Sequence, residues 1–454
     1  MRLQRRALLA FASGLLLTAC ASTPGTAPPP IVFVHGNGDT AALWTTTLWR
    51  YESNGWPRER LHAVDFPLPQ ARDDDTKPQD GRSSATEQRE FLAAEVQRVL
   101  QATGASQVVL IGNSRGGNAI RNYIQNGGGD KTVSHALLGG TPNHGVWANP
   151  GFRPNNEFNG AGAFLTGLNA PKGPNADEVT PGLRWMTTRS DSNDKFAQPD
   201  GVWIGAKGTP THVTAEGPAL KGAHNVVLPG RDHREVSYHP QAFAAAYEFI
   251  TGQAPALTTV TPEASVLLDG KVSGIGAGGP TNLPLAGAQV AVYAVDAATG
   301  ARRGAALVDK AVGADGRWGP LSTDSATPLE FVISAPGYAT THIYRAPFAR
   351  SSAIVHLRAE RLAEADKSAA SVVTLTRPRG YLGLPRDSIS FDGLSPAPGI
   401  PPGVAGVSSS KLKLQVGPGR PVVAEYRSGE LAERIVGIAW PARDNHVVTI
   451  ELHP

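Results

Sequence analysis

The chain has a single cysteine, Cys20, among its 454 residues. That excludes an internal disulfide framework and a cysteine-built zinc site. An excess of charge of one sign is also missing. The 42 Lys and Arg face 39 Asp and Glu, a balance that does not describe a nucleic-acid binder. Charged residues make up only 18% and hydrophobic ones 41%, which is too apolar for a disordered chain. The N-terminal apolar run, Ala7 to Leu17, is 11 residues long and too short to span a bilayer. What is abundant is glycine, at 51 residues, and proline, at 37. They predict many turns and a large β component. At roughly 150 residues per domain, the length allows about three domains.

Arg2, Arg5 and Arg6 precede the apolar run, and together they read as an export signal. The segment ends Leu17-Thr18-Ala19-Cys20, which resembles the lipobox of bacterial lipoproteins. The resemblance implies a signal peptide over residues 1–19, lipidation of Cys20 and a membrane anchor. Ala21 after the cysteine implies sorting to the outer membrane; without the anchor the protein would be periplasmic or secreted. Each acyl CH₂ buried in lipid contributes roughly 0.8 kcal/mol, and two or more chains hold stably. The alternative is a plain secretory signal with an incidental cysteine. Cleavage would remove three arginines and no acid, leaving equal numbers of basic and acidic residues. Residues 20–29 read as a flexible tether.

Residues 30–252 alternate β-rich runs with helical patterns. Strands are predicted at 31–34, 62–65, 107–111, 135–138, 184–188 and 225–228. Helices are predicted at 84–102, 116–125 and 240–250. This rhythm implies an α/β domain with a mostly parallel sheet and helices on both faces. The pattern changes near Gln253. From Thr258 onward short alternating runs such as AQVAVYAV and PVVAEY predict all-β sandwich modules, over 258–360 and 370–454. A helical patch around Ala359 to Ala370 is expected between them.

Residues 107–117 read QVVLIGNSRGG. A strand runs into Gly112-Asn113-Ser114-Arg115-Gly116 and a helix follows, which is G-x-S-x-G in its confirming context. Small residues two before and two after the serine let neighbouring backbones approach, and the sharp turn lifts Oγ into the site. Ser114 is the candidate nucleophile. Acyl transfer also needs two fixed N–H donors for the oxyanion, each worth a factor on the order of 10²–10³. The Arg115 amide, which opens the following helix, is one candidate. The Asn37 amide, in the loop VHGNG after the first strand, is the other. His35 is expected to buttress that loop.

VHGNG, GNSRGG and the later GGTPNHG (139–145) resemble the lipase and esterase branch of the α/β-hydrolases. The resemblance covers about residues 30–252. One departure is Asn113, where many of those lipases carry histidine. The superfamily's chain order is nucleophile, acid, histidine. The resemblance places the base in a loop after the last strand, where His233 stands in LPGRDHREV; His224 and His239 are the alternatives. It places the acid after the strand RWMTT, in RSDSNDKFAQPDG. Related lipases carry an Asp five residues before a Pro, which fits Asp194 and Pro199; Asp191 and Asp200 are the alternatives. Residues 145–181 stand where lipases carry a lid, and Phe152, Phe158, Phe164, Leu165 and Leu168 are candidates for an acyl pocket. A structured surface excursion is the competing reading. Residues 270–340 resemble carboxypeptidase-regulatory-like or transthyretin-like sandwiches, through Val272-Ser273-Gly274, LPLAGAQVAVYAV and Ala314-Asp315-Gly316-Arg317-Trp318.

The resemblance implies a serine carboxylester hydrolase acting on hydrophobic esters, with no cofactor, no metal and a monomeric chain. The alternatives are an aliphatic polyester depolymerase, or a surface-anchored lipid- or polymer-binding protein without catalysis.

Overall fold

The computed structural model describes residues 27–454. The expected signal peptide, Cys20 and most of the tether lie outside the described residues. Six strands form one parallel sheet: β1 (Ile31–Val34), β2 (Leu61–Ala63), β3 (Val108–Asn113), β4 (Val133–Gly139), β5 (Arg184–Arg189) and β6 (His224–Val227). Their order is β2-β1-β3-β4-β5-β6. The helices are α1 (Thr45–Ser53), α2 (Ala85–Thr103), α3 (Arg115–Asn126), α4 (Ala163–Leu168), α5 (Glu235–Tyr238) and α6 (Pro240–Thr251).

The period of two along a strand sorts residues between two cores. Val32 and Val34 face α2 and α3, packing with Leu92, Val96, Val99 and Ile120. Ile31 and Phe33 face α1 and α6, packing with Tyr51 and Phe243. Both faces are covered, so β1 reads as a continuous apolar run. Ser84 caps α2 with a capping box closed by Glu87. Such a cap is worth about 1 kcal/mol. Helix α1 was not predicted. Its three threonines have weak helix propensity, and packing by Trp49 and Tyr51 holds it instead.

After Thr251 no α-helix occurs among the described residues. The expected helical patch at 359–370 is a correction. Only a single 3₁₀ turn, Glu364–Asp366, forms there, and its polar residues have no apolar stripe to bury. A seven-stranded sheet runs across both expected β modules. Its order is Val308–Ala311, Gln289–Ala294, Leu329–Ser334, Thr340–Arg345, His446–Glu451, Ser371–Thr376 and Ser409–Leu414. The strand His446–Glu451 is fifth of the seven and pairs in parallel with Thr340–Arg345 and with Ser371–Thr376.

The β region grips the α/β domain. Trp49 of α1 is buried in the first β core and donates to the Ser351 carbonyl at 3.0 Å. The Asn282 side-chain amide donates to the carbonyls of Asp39 and Phe66, both at 2.9 Å. It thereby fastens the two loops beside the site.

Candidate active site

Strand β3 is buried along its whole length and stops at Asn113. Ser114 then takes φ 51° and ψ −122°, a region that a non-glycine residue occupies only when its surroundings enforce it. They do so through glycine. A Cβ on Gly116 would collide with the carbonyls of Val34 and His35, so only glycine lets α3 start this close to β1. Asn113 is part of the same scaffold. Its side-chain amide donates to Ser237 Oγ at 2.9 Å, and more weakly to the carbonyls of Gly139 and His233 at 3.3 Å. The residue that departs from the lipase pattern therefore ties the elbow to the loop that carries His233.

His233 and Asp194 are brought together. The imidazole Nδ1–H donates to Asp194 Oδ2 at 2.8 Å. The other carboxylate oxygen accepts from the Phe196 amide at 2.8 Å. The Phe196 ring stands edge-on to the imidazole at 4.6 Å. Both residues are buried, so the pair is shielded from water and the tautomer is set. His233 Nε2 has no hydrogen-bond partner among the described residues. It lines a cavity of about 290 Å³ together with Ser114, Asn37, Phe158, Trp147 and Tyr381.

The alternatives lie elsewhere. The His239 imidazole caps α6 by accepting from the Gln241 amide at 3.1 Å, and burial lowers its pKa to about 3. His224 stacks on Phe249 at 5.9 Å. Asp191 accepts from the Gly230 amide at 2.9 Å and Asp200 from the Val202 amide at 3.1 Å; both close loops. His35 is buried, and burial lowers its pKa. Its Nε2 accepts from the Phe66 amide at 3.1 Å. Asn37 is held through its side chain, which accepts from the Ala71 amide at 2.7 Å.

Arg115 is placed twice over. Its amide lies at the start of α3. Its side chain is fully buried and paired with Glu157 of the 145–181 segment. The same guanidinium donates to the carbonyls of Pro69 at 3.0 Å and Ser83 at 2.7 Å. Among the expected pocket residues, Phe158 lines the cavity, whereas Leu165 and Leu168 are buried in packing.

The residues that sequence reasoning missed come mainly from the last β module. Tyr381 walls the cavity, and its amide donates to Asp232 Oδ2 at 2.8 Å. Arg377 and Arg386 meet Glu235 at 2.6 and 2.7 Å, and both also reach Asp232. Two buried acids flanking His233 are thus neutralised from another domain. Gly406 touches the Trp203 indole so closely that a Cβ would overlap the ring.

Residues 28–148 match the family model of the class 2 lipases. Residues 264–362 match the lipase C-terminal domain. The chain is a carboxylic ester hydrolase. The region read above as transthyretin-like is the one that matches the lipase C-terminal domain. Among solved structures, the mature form of Bacillus licheniformis lipase BlEst2 is similar at 19% identity. That match spans 51% of the hydrolase and 95% of its own chain, with a TM-score of 0.36. The propeptide form of that lipase matches 91% of the hydrolase and 94% of its own chain, at 14% identity and a TM-score of 0.37. Aspergillus fumigatus lipase B matches 51% of the hydrolase and 54% of its own chain, at 17% identity and a TM-score of 0.33.

Proposed function

We propose that the hydrolase cleaves hydrophobic carboxylic esters through an acyl-enzyme on Ser114. Ser114 Oγ attacks the ester carbonyl as His233 Nε2 takes its proton. Asp194 holds the imidazole tautomer and stabilises the imidazolium. The amides of Asn37 and Arg115 receive the oxyanion. His233 returns the proton to the leaving alcohol, and water then releases the acid by the same steps in reverse. The observation that carries this reading is the free Nε2 of a carboxylate-bound histidine opening into the cavity that also holds Ser114.

The test is hydrolysis of 4-nitrophenyl butyrate. Ser114→Ala should lower kcat by at least about 10³-fold while leaving the fold intact. Equal turnover by parent and variant would remove Ser114 from the mechanism. As part of the same proposal, Cys20 carries the lipid anchor. Cys20→Ala should then move the protein from the membrane fraction to the soluble one.

A further inference from the structure

The cavity that holds Ser114 is not the largest one. A second, of about 470 Å³, lies where residues 38–43 of the α/β domain meet both β modules. Asp39 and Arg234 line both spaces, and their ion pair forms the shared wall. The volume is within the usual range for small-molecule sites.

The charges around this second cavity do not cancel. Six cationic side chains and four carboxylates line it. Three of the carboxylates are engaged: Asp39 by Arg234, Glu451 by Arg345 and Asp366 by Lys411. Arg379 is satisfied by the carbonyls of Ala42, Leu43 and His453, and Arg361 donates to that of Ile275. Arg358 remains. Its Nε is buried without a partner among the described residues. Among the described residues its one side-chain hydrogen bond runs from Nη2 to Asn282 Oδ1 at 3.4 Å. Glu360, Asp39, Asp65 and Glu451 act on it electrostatically, but among the described residues no carboxylate comes within ion-pair distance of it.

A guanidinium does not deprotonate in a protein, and an unpaired buried charge is costly. A fold that keeps one in a cavity supplies half of an ion pair. Beside these charges the lining mixes serines and threonines with an aliphatic stretch that includes Leu43, Leu362, Val372 and Val447. A cationic head site beside an aliphatic wall fits an anionic amphiphile.

We propose that this cavity binds an aliphatic carboxylate, its head on Arg358 and its chain along Leu362 and Val372. Such an acid is what ester hydrolysis releases, so the source of the ligand rests on the ester-hydrolase reading, whereas the site does not. A carboxylate held here also competes with Asp39 for Arg234, in the wall of the catalytic cavity. Retained product then slows turnover without competing with substrate.

The experiment is calorimetric titration of octanoate and of 1-octanol into the full chain carrying Ser114→Ala, which keeps turnover out of the signal. Octanoate should bind at 1:1 and at least tenfold more tightly than 1-octanol. Arg358→Gln should weaken octanoate at least tenfold, and Arg358→Lys should restore part of the loss. Absent octanoate binding, equal binding of acid and alcohol, or binding indifferent to Arg358 would each overturn the site. If Arg358→Gln fails to fold, the acid–alcohol comparison on the unaltered cavity decides. A parent inactive on 4-nitrophenyl butyrate that still binds octanoate through Arg358 would sink the ester reading and keep the site. The opposite result would do the reverse.

Discussion

Arg115 does two separate jobs within one residue. The amide follows from its position after the serine and was legible in the sequence. The side chain was not, because its partner Glu157 lies 42 residues away in a segment without periodicity. The guanidinium fastens that segment to the Ser114 turn and to the 69–83 loop at once. Burial pushes the Glu157 carboxyl up to about 7, a sign of how completely the pair is removed from water. Glu157→Ala would leave the Arg115 charge buried and unpaired. It should cost about 3–5 kcal/mol of stability, measured by urea unfolding. A loss below about 1 kcal/mol would mean that the pair does not anchor the segment.

The elements divide by how local their signals are. Strand β3, the turn at Ser114 and α3 were readable because strand, turn and helix are adjacent in the chain and each carries its own pattern. The order of acid and base came from resemblance, and the alternatives could be separated only by seeing which imidazole reaches which carboxylate. Helix α1 had no readable pattern, since its residues are poor helix formers held by distant aromatics. The wall supplied by the last β module had none either. Tyr381 contacts Asp232 across 149 residues, and nothing local marks a tyrosine as belonging to another domain's pocket. Its ring lies 4.0 Å from Lys195 Nζ, beside Phe196 and Trp203 in the cavity lining. Tyr381→Ala should widen the cavity, change KM for 4-nitrophenyl esters as a function of acyl length, and leave kcat within a few-fold. A uniform fall in kcat across chain lengths would argue that Tyr381 supports the base instead.

Several histidines are buried neutral across the whole molecule. Burial lowers the pKa of His356 to about 4 and that of His239 to about 3, and it lowers that of His35 as well. In the unfolded chain each would titrate near 6.5. Between about pH 4 and 6.5 the unfolded state therefore binds more protons than the native one, so stability rises with pH across that window. The contribution is fully present above 6.5 and is lost as pH falls toward 4. Thermal unfolding at fixed ionic strength should show Tm dropping steadily from pH 7 to pH 4.5, and His356→Gln should flatten part of the slope. A level profile in the parent would contradict this account.

The interior place of strand His446–Glu451 in the seven-stranded sheet has a consequence for biogenesis. It leaves the ribosome after every other strand of that sheet, yet the four strands on one side of it and the two on the other join through it. The β region therefore cannot close until this strand has emerged, and pairing over such long sequence distances is slow. Tyr381, Arg377 and Arg386 reach the cavity that holds Ser114 and the acids beside His233 only from the closed β region. A nascent chain thus carries its Ser114 turn long before it has a finished pocket. The cavity that holds Ser114 is therefore finished only once the last strand of the chain has paired.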